Sequence, residues 1–241
     1  FIASFSQWFG LSIVIGVISY IIVPFIRDVF FNLGFINISD FLEVGSVRLT
    51  ISLLLIWFFV LINIVGGKVY KNTLIPMLVI MFVLGSIVLI TGLVYDQNDF
   101  INSVLNSENR VIEPTSDIKF DWKIFLTAAT LMFSSFIGFD AIAQTGNEAK
   151  NPTKNIPRAI LLAIFIVASY YILFTISVYN IVPWSFVADE SITKDITAPG
   201  LLSYVLPPFW GILIIIGAAI ALINDLPAMI LSVSRLMFAW A

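Results

Sequence analysis

Six stretches of this chain are apolar over about the length a helix needs to cross the hydrocarbon core of a bilayer, roughly 20 residues. They run near Trp8–Ile26, Leu49–Val65, Leu74–Tyr95, Ile124–Ala143, Ala159–Val182 and Pro207–Val233, and none contains a lysine or arginine. A backbone in lipid must satisfy its own N–H and C=O groups, so only helices and closed barrels span. Unbroken apolar runs of this length predict helices. The expected fold class is therefore an all-α polytopic membrane protein, a single transmembrane domain with six transmembrane helices. Charge agrees: 11% of the 241 residues are charged, against about 25% in a soluble domain. That is too little to cover a water-facing surface.

Three long polar segments, 27–48, 96–123 and 183–206, alternate with two short ones, 66–73 and 146–158. All long segments thus fall on one side. Short loops rich in Lys and Arg mark the cytoplasmic side. The short ones hold Lys68, Lys71, Lys150, Lys154 and Arg158, with Arg235 after the last span and Glu148 the single acid. The long ones hold as many bases, spread over more chain and outnumbered by acids. The short loops are expected to be cytoplasmic, the long ones extracellular, and the protein a multi-pass component of the cell membrane. Segment 96–123, rich in Asn, Ser and Asp, reads as an outer cap with one short helix.

The chain has no cysteine and no histidine. No disulfide or thiol metal site is expected, and the usual side chain for titration near neutral pH is missing. No basic patch suggests nucleic acid, and no phosphate-binding glycine loop suggests ATP. An enzyme is disfavoured, because no catalytic set clusters in the sequence. No cofactor or metal is expected.

The fourth span carries the chemistry. It reads Phe133-Ser134-Ser135-Phe136-Ile137-Gly138-Phe139-Asp140 before the polar Gln144-Thr145-Gly146-Asn147-Glu148. Gly138 weakens a helix by about 1 kcal/mol relative to Ala. Asp140 costs roughly 3 kcal/mol at membrane depth on insertion scales. Irregular backbone is tolerated in a membrane only where it lines a cavity or is buried in protein. A broken helix frees N–H and C=O groups and aims half-helix dipoles at one point, which suits the carboxylate and ammonium of an amino acid. Residues 134–140 are the expected substrate-binding segment. An unbroken helix with a packing glycine and a hydrogen-bonded Asp140 is the alternative on the residues alone. Phe133, Phe136 and Phe139 recur at helical spacing beside this segment, as gating rings or as packing against lipid.

Phe136-Ile137-Gly138-Phe139-Asp140, followed by Asn147-Glu148-Ala149-Lys150-Asn151-Pro152 and Ile156-Pro157-Arg158-Ala159-Ile160, resembles the amino acid–polyamine–organocation (APC) superfamily. Its members carry a similar ordered run. Leu61-Ile62-Asn63-Ile64-Val65-Gly66-Gly67-Lys68 and Ser234-Arg235-Leu236-Met237 are weaker echoes. The resemblance implies a transporter built on inverted five-helix repeats, with alternating access around a midplane site. It also implies that the six spans are the family's third to eighth helices, so that the chain is an interior piece of a longer protein. Glu148, Lys150, Lys154 and Arg158 would then belong to a cytoplasmic gate. Bottom-up, the same segment reads as topology signal and helix start, with Pro157 suited to the first turn of the next helix.

Asp140 and Asp225 are the only acids inside spans. Asp225 lies ten residues before Arg235, roughly 15 Å from that end of the helix, which is near mid-membrane. Asn224 adds a second polar group and Pro227 loosens the helix. A lone carboxylate at that depth takes a proton or a cation. It is read as a proton carrier, a sodium ligand or the counter-ion of a substrate ammonium, against a purely structural hydrogen-bonded acid. Some proton-coupled members of the resembled superfamily use a lysine in the fifth helix, but the third span here has no charge near Pro76, Met77 and Leu78. Asp225 with Asn224 is therefore the expected coupling site. The function these readings predict is proton- or cation-coupled secondary transport, or exchange, of amino acids or related amines. A channel or a substrate-sensing receptor on the same scaffold is the alternative. The partners expected are a small-molecule substrate, a coupling proton or cation, and the lipid bilayer, with no nucleic acid.

Overall fold

The computed structural model describes residues 2–112, 120–136, 142, 151–193 and 197–240. In chain order the helices are α1 (Ile2–Asn32), α2 (Ile36–Glu43), α3 (Gly45–Val65), α4 (Gly67–Val94), α5 (Gln97–Glu108), α6 (Trp122–Met132), α7 (Pro152–Ile181), α8 (Trp184–Thr193), α9 (Ala198–Leu202) and α10 (Pro208–Trp240). A 3-10 turn, Phe133–Phe136, follows α6 directly. Among the described residues there is no strand. Among the described residues five helices are long and apolar enough to cross a membrane: Ile2–Asn32, Gly45–Val65, Val69–Val94, Pro152–Ile181 and Pro208–Trp240. The start of the expected fourth span is the shorter apolar helix α6. The chain is an all-α, multi-pass membrane protein.

The helices outrun the apolar stretches that announce them. α1 has 31 residues and α10 has 33, about 46 to 50 Å at 1.5 Å per residue, against a hydrocarbon core of about 30 Å. Apolar composition reports where lipid is, while helical hydrogen bonding continues into the interface. Segment 27–48 is accordingly the end of α1, all of α2 and the first turn of α3, and segment 183–206 contains α8 and α9. The expected short loop 66–73 shrinks to one residue, Gly66, between α3 and α4. Its φ of 116° and ψ of 170° form a conformation essentially reserved for glycine. Helix α7 begins at Pro152 instead of after Arg158, so Lys154 and Arg158 ride its opening turns and Pro157 lies inside it. Pro152 takes the first helical position, where a missing N–H costs nothing.

Helix ends follow local chemistry. Gly34, at φ 83°, closes α1 in a Schellman motif. Its N–H donates to Phe31 O at 3.0 Å, Phe35 N–H donates to Phe30 O at 2.9 Å, and the Phe30 and Phe35 rings meet edge-on, the apolar contact that accompanies this cap. Asp96 and Asp99 form a reciprocal capping box on α5. Asp121 accepts from Lys123 N at 2.7 Å and Ile124 N at 3.3 Å to start α6.

The chain forms two compact units. The first, Phe1–Val94 with Thr197–Ala241, is built around α10, which packs on α1, α3 and α4. Ile15, Ile22, Phe59, Ile62 and Leu226 form its core, with Leu222, Ile223, Met229 and Ile230 against them. Gly217 lets α4 in close: a Cβ there would stand 2.7 Å from Leu84 Cβ. Small residues serve membrane helices in this way because backbones can then approach. Arg48 ties α3 to α1 by lying 3.8 Å from the Tyr20 ring centroid while its Nε donates to Tyr20 O at 3.0 Å. At the other end of α1, Trp240 Nε1 donates to Ser4 Oγ at 3.0 Å.

The second unit, Tyr95–Ile196, contains the short helix expected in segment 96–123, here α5. Phe100 and Phe186 meet edge-on at 5.1 Å, and Phe100, Val104, Ile181, Val182 and Phe186 are buried. Gln97 Nε2 donates to Tyr179 O at 3.1 Å. Arg110 donates to the buried carboxylate of Glu190. That hydrogen bond pushes the Arg110 guanidinium above its ordinary range. A raised pKa stabilises below the unfolded value and is lost only above the folded one, so the arginine's contribution is fully present at neutral pH. Arg110 is 40% exposed, and solvent screens part of the pair. Arg110→Ala is expected to cost about 1–2 kcal/mol by stripping Glu190 of a charged donor. Arg110→Lys should recover part of it, as read by thermal melts in detergent.

Candidate functional site

Helix α6, the start of the expected fourth span, ends at Met132. Phe133, the C-cap of α6, keeps α-region dihedrals, but from there the backbone tightens into the 3-10 turn Phe133–Phe136. Such turns are more poorly hydrogen-bonded than an α-helix; they are frequent at helix ends and, inside a helix, often mark functional hinges. The departure from α geometry begins at Phe133, the first residue of the Phe133–Asp140 run that the sequence singles out. Ile137, Gly138, Phe139 and Asp140 lie outside the described residues, as do Glu148 and Lys150.

Two site residues in this turn have a partner that the sequence did not announce. The Tyr171 hydroxyl, on α7, donates to the backbone carbonyl of Ser135 at 3.0 Å. The Tyr171 and Phe136 rings meet edge-on with centroids 5.6 Å apart, a geometry aromatic quadrupoles favour. Ser134 belongs to the same turn. Phe133 is 71% exposed, and Phe136 is half-buried. Lys154 and Arg158 are exposed and one helical turn apart on α7, hence on one face.

In the first unit, α10 carries the other expected pair. From Gly211 to Val233 every residue of α10 is buried or half-buried except Asp225, which is exposed. Asp225 has no hydrogen bond or ion pair among the described residues. Asn224 is buried, and its Oδ1 has no partner among them. Asn63 on α3 reaches α10: its Nδ2 donates to Phe59 O at 2.9 Å and, at 3.4 Å, to Pro227 O, leaving its own Oδ1 buried and unpartnered among the described residues. Polar groups thus gather on α10 where Pro227 removes a backbone donor.

The whole chain, residues 1–241, matches the family described as amino acid permease. The chain belongs to that family. Over 106 residues, 44% of its length, this permease chain is 32% identical to the chloroplastic cationic amino acid transporter 9 of Arabidopsis thaliana, covering 18% of that protein. Over 110 residues, 45% of its length, it is 31% identical to cationic amino acid transporter 4 of Homo sapiens, covering 16% of it. Over 116 residues, 47% of its length, it is 28% identical to the branched-chain amino acid permease BcaP of Bacillus subtilis (strain 168), covering 23% of it. These matches span less than a quarter of each relative's length. No solved structure matches the chain.

Proposed function

We propose that this chain is part of a secondary transporter that moves amino acids or related amines across the cell membrane by alternating access, driven by a proton or cation gradient or by exchange. The observation that carries the reading is the interruption of α6 at Phe133–Phe136 in a permease-family chain, immediately before the Gly138–Asp140 run. An interrupted helix at membrane depth is tolerated where it faces a cavity or protein. Its loosened backbone supplies the polar contacts an amino acid's carboxylate and ammonium require. Asp225, exposed on an otherwise covered helix, supplies the charge for coupling. Gly66 and the start of α7 face the cytoplasm, and α2, α5 and α8 lie outside, by the distribution of basic residues.

The test is accumulation of tritiated L-leucine or L-lysine by the full-length protein in liposomes carrying an ion gradient. Uptake above the external concentration fits a coupled transporter. Equilibration without accumulation fits a channel, and saturable binding without flux fits a sensor. Phe136→Ala removes the contact with Tyr171, and an aromatic pair is worth about 0.5–1.5 kcal/mol. It is expected to weaken apparent affinity by about 2- to 10-fold. Unchanged affinity and uptake would remove Phe136 from the site.

A further inference from the structure

We propose that Tyr171 is a positioning residue whose hydroxyl holds the interruption of α6 in place, and so sets the affinity for substrate without touching it. The proposal rests on the reading that the Phe133–Phe136 turn borders the substrate site.

In a continuous α-helix the carbonyl of residue 135 would accept from the N–H four residues on. Here it accepts from a side chain on another helix, the Tyr171 hydroxyl at 3.0 Å. Tyr171 lies 19 residues after Pro152 in the 30-residue helix α7, about 28 Å along it, within its long apolar stretch. At such depth lipid offers no hydrogen-bond donor, and an unpaired carbonyl is costly. A sideways donor meets that cost in advance: the backbone can leave α geometry after Met132 without orphaning the carbonyl. The edge-on contact with Phe136 fixes the next residue of the same turn. One side chain thus grips the interruption twice, by a hydrogen bond to its backbone and by a ring contact to its side chain. Nothing in Tyr171's sequence neighbourhood, Ser169-Tyr170-Tyr171-Ile172, distinguishes it from an ordinary packing aromatic. Only the fold brings it to Ser135.

The experiment uses the full-length protein in liposomes, with tritiated L-leucine and L-lysine as probes. Tyr171→Phe keeps the ring and deletes the donor. KM is expected to rise about 3- to 10-fold, the range of one hydrogen bond, with maximal rate and melting temperature near wild type. Tyr171→Leu should raise KM further. Tyr171→Gln returns a donor without the ring and should sit between Leu and wild type. A general packing defect would lower melting temperature and maximal rate together and would not be rescued by Gln. A KM for Tyr171→Phe within twofold of wild type overturns the proposal. If Tyr171→Phe yields no folded protein, equal KM values for Gln and Leu overturn it. A separate arm tests the underlying reading: Ser135→Cys should be modified by a thiol reagent more slowly when substrate is present. Protection at Ser135→Cys with an unmoved Tyr171→Phe sinks the positioning role alone. Absence of protection, or no uptake of either probe by the wild type, sinks the reading beneath it.

Discussion

Asp225→Asn is expected to abolish gradient-driven accumulation while leaving counterflow exchange intact. The substitution keeps the shape of the side chain and removes its charge. The aspartate sits near the middle of α10, is exposed where the rest of the helix from Gly211 to Val233 is covered, and has no partner among the described residues. A carboxylate at membrane depth is costly and marks a functional site by default. Net accumulation needs a charge that is loaded on one side and unloaded on the other, whereas exchange needs substrate binding and reorientation only. A proton carrier predicts loss of pH-driven uptake. A sodium ligand predicts loss that tracks the sodium gradient. A structural acid predicts poor expression, or transport with its ion dependence intact. A well-folded Asn variant with wild-type, ion-driven accumulation removes Asp225 from the mechanism.

Gly217→Ala is expected to disrupt the packing of α10 on α4 in the first unit. The added Cβ would lie 2.7 Å from Leu84 Cβ and 3.4 Å from Leu84 Cδ1. The first of these atoms is anchored to the α4 backbone, so a rotamer change cannot clear it and the helices must separate. Overpacking of this kind costs about 1–3 kcal/mol. In a membrane it also forfeits close van der Waals contact, the main source of helix association there. Leu84→Gly removes the opposing Cβ. Paired with Gly217→Ala it should give a double variant less destabilised than the sum of the singles, with a coupling of about 1 kcal/mol or more. Strict additivity in unfolding measurements would show that this contact does not set the α4–α10 distance.

Much of the architecture was legible because lipid imposes a simple rule on composition. Each of the expected spans other than the fourth falls on one long helix, three of them running one residue past its end. Their ends were not legible, because the turns in the interface carry ordinary polar residues: Arg27–Asn32 continues α1, and Lys154–Arg158 continues α7. The interruption at Ser134–Ser135 left a mark, since two serines, a glycine and an aspartate break an apolar run. Tyr171 left none, because nothing local says which of two adjacent tyrosines faces α6. Asn63 was visible as a motif letter, but its reach to Pro227 crosses 164 residues of chain, a separation no short pattern records.

Gly66 has a mechanical consequence. Consecutive Cα atoms are 3.80 Å apart across a trans peptide, so one intervening residue keeps the Cα atoms of Val65 and Gly67 within about 7.6 Å of each other however the rest of the unit moves. Neither α3 nor α4 has slack to slide a full turn, about 5.4 Å, along the other. What remains is swing about a shared pivot, with the two torsions of Gly66 as the freely adjustable coordinates. Asn63 fastens α3 to α10 three residues before that pivot. Any displacement of α10 delivered through Asn63 would therefore act on α3 close to its fulcrum, where a short lever arm converts a small push into a larger swing at the far end of α3.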